Sequence, residues 1–430
     1  MKPLKSGRYV SHLTKSTMAI VMAGGRGERL GPLTSHRAKP AVTFGCKFRI
    51  IDFTLSNCVN SGIRQVLVLT QYKAQSLIQH IQRGWSWMRS EFGEFVHLVP
   101  AQQQIDSHWY RGTADAVYQN LDLVEAHHPD LVLVLAGDHV YKMDYGPMIA
   151  FHVDSGADIT VGVVKVSTDE ASAFGIVTIN DQQQIVQFDE KPASPVPMPG
   201  SDDTALASMG IYVFSRQLLA ECLQTDARAE GSTHDFGRDI LPRCIRGRRV
   251  LAYPFEHVAT RAQAYWRDVG TVDAFYEANM ELVHVTPELN LYDENWPIWT
   301  YQEHTPAAKF VLDQPGNTGT AINSMVAGGS IISGATVRES LLSAFTRVAE
   351  RSLIERSVIQ PHVSIGADCR IQRAIIDSEC HIPDGTVIGQ DPVRDRDRFH
   401  VTEKGVVLVT ADMLDQSDPT SDTGRLCRLI

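Results

Sequence analysis

Hydrophobic and polar positions follow two different rhythms along this chain. Up to about residue 285, short apolar runs alternate with segments in which apolar residues recur at three- and four-residue steps. Residues 18–23, 65–70 and 131–136 read as strands. The last, Leu-Val-Leu-Val-Leu-Ala, has the unbroken apolar character of a strand covered on both faces. Between them, residues 51–61 and 113–127 carry helical spacing. Strand, helix and strand in this order predict βαβ units, hence an α/β, Rossmann-like domain with a mostly parallel sheet. Later strands at 159–166 and 210–214, with the Pro- and Gly-rich connection 192–200, predict a mixed region beside it.

From about Met325 the rhythm changes. A shift of 17 residues superimposes Val337, Ile354, Ile371 and Ile388. The same shift superimposes Met325, Leu342, Ile359 and Ile376, and also Ile331, Val348, Ile365 and Ile382. Within one period the anchors are six, five and six residues apart, which predicts three short strands per turn around a triangular core. That is a parallel β-helix of about four coils, with Gly366, Gly385 and Gly389 expected at its corners. Residues 285–310 hold Trp296, Pro297, Trp299 and Pro306 without a period, and read as a linker that packs down. Residues 313–320 read as surface loop and the tail after Asp412 as a frayed end. The expected division is a catalytic domain over 1–285, a linker over 286–312 and a β-helix domain over 313–430.

Composition narrows the classes without naming one. Of 430 residues, 43% are hydrophobic and 21% charged, which suits a globular protein and excludes a disordered one. The net charge of −10 argues against wholesale binding to nucleic acid or to an anionic membrane, while leaving room for a local basic pocket. The seven cysteines, at 46, 58, 222, 244, 369, 380 and 427, form no C-x-x-C pair and read as buried thiols of a reducing cytoplasm. The basic start (Lys2, Lys5, Arg8, Lys15) precedes an apolar run of only six residues, too short for a signal peptide or a membrane span. A cytoplasmic location is expected.

Four stretches carry candidate chemistry. Gly24-Gly25-Arg26-Gly27 directly follows the first strand, where missing Cβ atoms let backbone N–H groups approach a phosphate or purine. The G-G-x-G spacing matches neither a dinucleotide fingerprint nor a P-loop. Yet Arg26, Arg29 and the following Arg37-Ala38-Lys39-Pro40 supply the cations a polyphosphate needs. Gly137-Asp138-His139 ends the strand at 131–136, where a carboxylate is well placed to hold Mg²⁺ against substrate phosphates; a helix cap is the plainer alternative. Phe188-Asp189-Glu190-Lys191-Pro192 and Tyr265-Trp266-Arg267-Asp268-Val269-Gly270 would by themselves pass for charged loops.

Together these stretches resemble the sugar-nucleotide pyrophosphorylases, in their glucose-1-phosphate adenylyltransferase branch. The resemblance runs nearly the whole chain through RAKPA (37–41), FRIIDF (48–53), QRGW (82–85), WYRGTADAV (109–117), AGDH (136–139), FDEKP (188–192), ASMGIYVF (207–214), HDFG (234–237) and YWRDVGT (265–271). It implies that the adenylyl group of ATP passes to α-D-glucose 1-phosphate, giving ADP-glucose and pyrophosphate. The sugar phosphate would attack the α-phosphorus in line, with no protein nucleophile.

Carried over by motif, Gly24, Gly25, Gln103 and Gly112 would contact ATP, and Arg26 and Lys39 would neutralise the leaving pyrophosphate. Asp138 and Asp268 would hold Mg²⁺, and Lys191 would grip the sugar phosphate. Tyr110, Gly175, Glu190, Ser208, Tyr212, Asp235, Phe236 and Trp266 would surround the glucose. The resemblance further implies a left-handed β-helix, a homotetramer, and small anionic metabolites as allosteric effectors. Effector contacts are expected among His36, Arg37, Arg49, Gln71, Arg83, Trp109, Arg396 and Arg398. His36 stands where relatives often carry Lys or Arg, so effector binding is expected to weaken as pH rises through neutrality. Competing readings are another nucleotide or sugar, a catalytically silent regulatory subunit that would lack the charged positions, and an acyltransferase like the bifunctional uridylyl/acetyl enzymes.

Overall fold

The structure, a computed structural model, describes residues 7–103, 108–198, 200–256 and 263–416. It divides into two compact units, each discontinuous in sequence: the chain up to Gly25 with Phe53–Trp266, and Arg26–Asp52 with everything from Arg267 on.

The first unit is built on one mixed sheet. Its strands are β1 (Thr17–Met22), β2 (Gln65–Thr70), β3 (Phe95–Pro100), β4 (Leu131–Ala136), β5 (Ile159–Ser167), β6 (Gly175–Ile179), β7 (Ile185–Glu190), β8 (Thr204–Ser215) and β9 (Val250–Pro254). Their order is β7-β6-β8-β4-β1-β2-β3, with β5 paired to β8 and β9 to β5. The β3-β2-β1-β4 block is parallel, as the βαβ spacing predicts. β8 then runs against β4, β5 and β6, so this half of the sheet is largely antiparallel. Met18 and Ile20 pack with Leu67, Leu69, Val132 and Val134 in one buried cluster.

The helix expected over 113–127 is two, Thr113–Tyr118 and Leu121–His127. Asn120 breaks it: its side-chain amide donates to the Ala116 carbonyl and to the Tyr110 hydroxyl, an alternative that competes with helix continuation. A helix at Gly7–Lys15 has no counterpart in the sequence reading. Among the described residues no helix is long and apolar enough to cross a membrane.

In the second unit the predicted left-handed parallel β-helix forms from three parallel ladders of five two- and three-residue strands, one of them extended by the antiparallel strand His400–Val401. Two of its columns need correction. Leu342 pairs with Val326, not Met325, and Val348 with Ile332, not Ile331. The first coil is one residue short, turning from Ile332 to Val337 through Gly334 at φ 55°, where a Cβ would strike the Asn317 side chain. The expected corner glycines are also only partly right. Gly385 and Gly389 have positive φ, but Gly366 does not. Most corners hold ordinary residues in the left-handed region, such as Glu339, Arg356, Arg373, Arg351 and Asp368.

Residues 313–320 are not plain loop: Asp313–Gln314 and Asn317–Thr318 form a small antiparallel pair. The preceding strand Lys309–Val311 already joins the β-helix beside Ile331–Ser333. The last coil closes with Val407–Val409 against Ala374–Ile376, after the inserted helix Pro392–Arg398. Within the same unit, Gly45 N–H donates to Asn279 and the Gln360 amide to the Thr43 carbonyl, tying 26–52 to the later chain. The tail read from the sequence as a frayed end lies mostly outside the described residues, as does Cys427. Of the six described cysteines all are buried except Cys222, which is partly exposed.

Candidate active site

In the first unit the strand order reverses between β1 and β4, and the crevice at the carboxyl ends of such strands is where open α/β sheets bind ligands. Gly24 and Gly25 follow β1, and Gly137-Asp138 follow β4. Gly137 N–H donates to the Met22 carbonyl at 3.0 Å. A Cβ on Gly137 would lie 2.9 Å from the Val21 side chain, so glycine is what lets the two strand ends approach. Asp138 projects beyond β4 with its side chain 37% exposed, 3.6 Å from His139. Gly24 abuts Gln71, whose amide donates to the Tyr110 carbonyl. Gln103, Arg83 and Trp109 are exposed.

A second group of candidates gathers where β7, β8 and the segment after residue 232 meet. Glu190 ends β7 opposite Gly175 on β6. Its carboxylate nests against Gly175 and Gly237, where added Cβ atoms would lie 2.8 and 2.5 Å from its oxygen. Burial, then the charge of Asp235, holds the Glu190 pKa above the ordinary carboxylate value, with Lys191 at 3.6 Å opposing the shift. Lys191 adopts φ 51° and its side chain is about half exposed.

Asp235 caps its turn by accepting from the N–H groups of Gly237 and Arg238, while its other oxygen accepts from Thr113 Oγ1 at 2.9 Å. On β8 the ladder to β5 breaks between Ser208 and Tyr212, at Gly210 with φ 68°. This bulge turns Ser208 Oγ toward the Tyr212 hydroxyl, 3.4 Å away. Burial pushes the Tyr212 phenol upward, so it stays a neutral donor and acceptor. The Phe236 ring lies tilted 5.7 Å from that of Tyr212 and is itself core, and Trp266 is buried between His139 and Phe174.

Thr113 and His234 were not among the sequence candidates, although both lie inside quoted motifs. Thr113 Oγ1 also accepts from Phe236 N–H, locking the turn that presents Asp235. His234, in the left-handed region at φ 56°, is held by Asp226 at 2.8 Å and accepts through its carbonyl from Ala114 N–H. Only the folded chain brings these partners together.

In the second unit Asp268 accepts from Lys39 at 2.8 Å and from Arg29 at 3.1 Å. Lys39 is almost fully buried, a position a charged lysine holds only when paired. Arg26 is exposed beside Glu28. Of the effector candidates in this unit, Arg37 pairs with Asp377 at 3.0 Å and His36 with Asp412 at 3.0 Å. Arg49 donates to the Ala41 carbonyl and Thr43, and burial, then Arg37, lowers its pKa. Arg396 and Arg398 are exposed on the inserted helix.

The nucleotidyl transferase family model matches residues 18–284, and that of the GlmU-like C-terminal hexapeptide region matches residues 306–409. The chain is 61% identical to glucose-1-phosphate adenylyltransferase 1 of Alkalilimnicola ehrlichii over 95% of its length and 97% of that protein's. It is 58% identical to glucose-1-phosphate adenylyltransferase 2 of the same organism, over 97% of its length and 98% of the relative's. Identity to the glucose-1-phosphate adenylyltransferase of Methylococcus capsulatus is also 58%, over 96% and 97% of the two chains. The strand-end glycine loop, the carboxylate beyond β4 and these full-length matches lead to one conclusion: the chain is a nucleotidyltransferase and belongs to the glucose-1-phosphate adenylyltransferase family.

Proposed function

We propose that this enzyme transfers the adenylyl group of ATP to α-D-glucose 1-phosphate, releasing pyrophosphate and making ADP-glucose for glycogen synthesis. The observation that carries this reading is the polar cluster of Glu190, Asp235, Ser208 and Tyr212 beside the Lys191 side chain, in the unit that also holds Gly24 and Gly25. Carboxylates and hydroxyls on a partly apolar wall suit a polyol, and an adjacent cation suits its phosphate.

Gly24, Gly25, Gln103 and Gly112 receive the nucleotide in this reading, and Arg26 and Lys39 offset charge on the departing pyrophosphate. Tyr110, Gly175, Phe236 and Trp266 shape the sugar side. The α-phosphorus is attacked by a phosphate oxygen already ionised at neutral pH, so the chain needs to position and neutralise rather than to abstract a proton.

Asp138 and Asp268 offer the hard oxygen ligands that Mg²⁺ prefers. Lys39 at 2.8 Å and Arg29 at 3.1 Å already place positive charge against Asp268, which supports reading it as a charge-bearing position. Bound there, Mg²⁺ would supply charge neutralisation at the phosphates. A cytoplasmic homotetramer regulated by anionic metabolites completes the proposal.

The test is pyrophosphate release with ATP and glucose 1-phosphate, run beside UTP, dTTP and other sugar phosphates. It is repeated with fructose 6-phosphate, fructose 1,6-bisphosphate, pyruvate and AMP. Preference for another nucleotide or sugar would replace the substrate assignment, and no turnover with any pair would favour a silent regulatory subunit.

A further inference from the structure

Cys222 and Cys244 are 22 residues apart in sequence, yet their sulfurs lie 3.4 Å apart. Cys222 sits on the helix Arg216–Ala227 and Cys244 on the helix Leu241–Ile245. Both line a surface cavity that Arg243, Arg248 and Glu221 also border. Arg243 reaches Asp226 at 3.2 Å and Arg248 reaches Glu221, so both cations are held in place beside the sulfurs. Cationic groups beside a thiol that lines a cavity favour its thiolate, the reactive form. The Cys222 S–H, with Arg248 and Arg243, draws the Cys244 pKa down against the opposing effect of burial; Cys222, sharing its proton with Cys244, moves up.

The second helix is continuous with the sugar-side turn. Phe236–Ile240 runs directly into Leu241–Ile245, and Asp235 caps its start. Gly237 in that turn lies against the Glu190 carboxylate. A disulfide requires sulfurs about 2.05 Å apart, so closing this pair draws the two helices together by roughly 1.3 Å unless side-chain rotation absorbs it. Displacements of that size at a positioned polar group are costly for binding and catalysis.

We propose that Cys222 and Cys244 form a redox-sensitive dithiol, closed to a disulfide by hydroperoxides, and that closure weakens sugar-phosphate binding by displacing Asp235 and its contact with Glu190. The second half rests on the sugar-side reading of those two residues given above. The Cys244 thiolate attacks a peroxide oxygen, the O–O bond breaks, and the leaving oxygen takes up a proton as an alcohol, or as water from hydrogen peroxide. The Cys222 sulfur then attacks the resulting sulfenic acid, the S–O bond breaks, and the hydroxyl leaves with the Cys222 proton as water. Two thiols and one hydroperoxide thus give one disulfide, one alcohol and one water.

The full-length reduced enzyme is treated with hydrogen peroxide, alkylated, digested and mapped by mass spectrometry, while kinetics are followed in parallel. The expected result is a peptide link between Cys222 and Cys244 that dithiothreitol reverses. It should be accompanied by a rise of about five-fold or more in KM for glucose 1-phosphate, with little change in KM for ATP. Cys222→Ser should keep basal activity and lose the peroxide response. Separate alkylation of both cysteines after peroxide would overturn the dithiol, whatever the activity. A link that forms without moving KM would overturn its control of the sugar side. Inactivity with glucose 1-phosphate in both redox states would instead overturn the substrate assignment, and the mass measurement would still decide the link.

Discussion

Glu190 carries a stability cost that its proposed place beside the sugar would explain. Its carboxylate is desolvated beside Asp235, so its folded pKa lies above the unfolded value. Such a group favours the fold at pH below its unfolded pKa and loses that contribution as pH rises through the folded pKa. Glu190→Gln should therefore raise the thermal midpoint at pH 7, and the gain should vanish below about pH 4, where the unfolded carboxyl is protonated. The same variant should raise KM for glucose 1-phosphate about ten-fold, if the ionised form accepts from sugar hydroxyls. Lys191→Ala should raise that KM by about 10–100-fold with kcat far less affected; the reverse pattern would remove the phosphate-gripping role proposed for it. Asp138→Ala should lower kcat by about 10²–10³-fold while ATP still binds, measured by turnover and by equilibrium titration. Near-normal turnover would end the metal proposal.

Elements meet here through single close approaches. Gly112 precedes the helix Thr113–Tyr118, and a Cβ on it would lie 2.2 Å from the His234 carbonyl oxygen. That carbonyl accepts from Ala114 N–H, so the glycine lets one loop seat the start of a helix on another. Gly112→Ala should cost about 1–3 kcal/mol in denaturant unfolding, as overpacking does; an unchanged midpoint would show that the loop yields freely. In the β-helix, successive coils are stitched by side chains as well as strands. Ser357 N–H donates to Ser340 Oγ, Ala374 N–H donates to Ser357 Oγ, and Arg351 grips Asp368 one coil on with both arms of its guanidinium. Such ladders were invisible to a reading of aliphatic columns. They depend on polar residues at corners, where the 17-residue shift carries no hydrophobic signal.

For the whole molecule, light scattering should find the mass of four chains; a monomer would refute the proposed assembly. The sequence by itself determined what depends on periodicity and local chain order. Runs such as 131–136 can be buried only in a covered strand, and aliphatic residues every 17 positions can close only as coils. The glycine loop and Asp138 were legible because strand, turn and carboxylate are contiguous there. Tertiary structure decided what depends on contacts distant in sequence. It set the one-residue slip of the first coil, because Gly334 permits a tighter corner than the pattern assumes. It made β8 bend at Gly210, joined Asp235 to Thr113, and brought Cys222 to Cys244. The Asp235–Thr113 and Cys222–Cys244 contacts span residues that no local propensity couples, so only the folded chain could set their geometry.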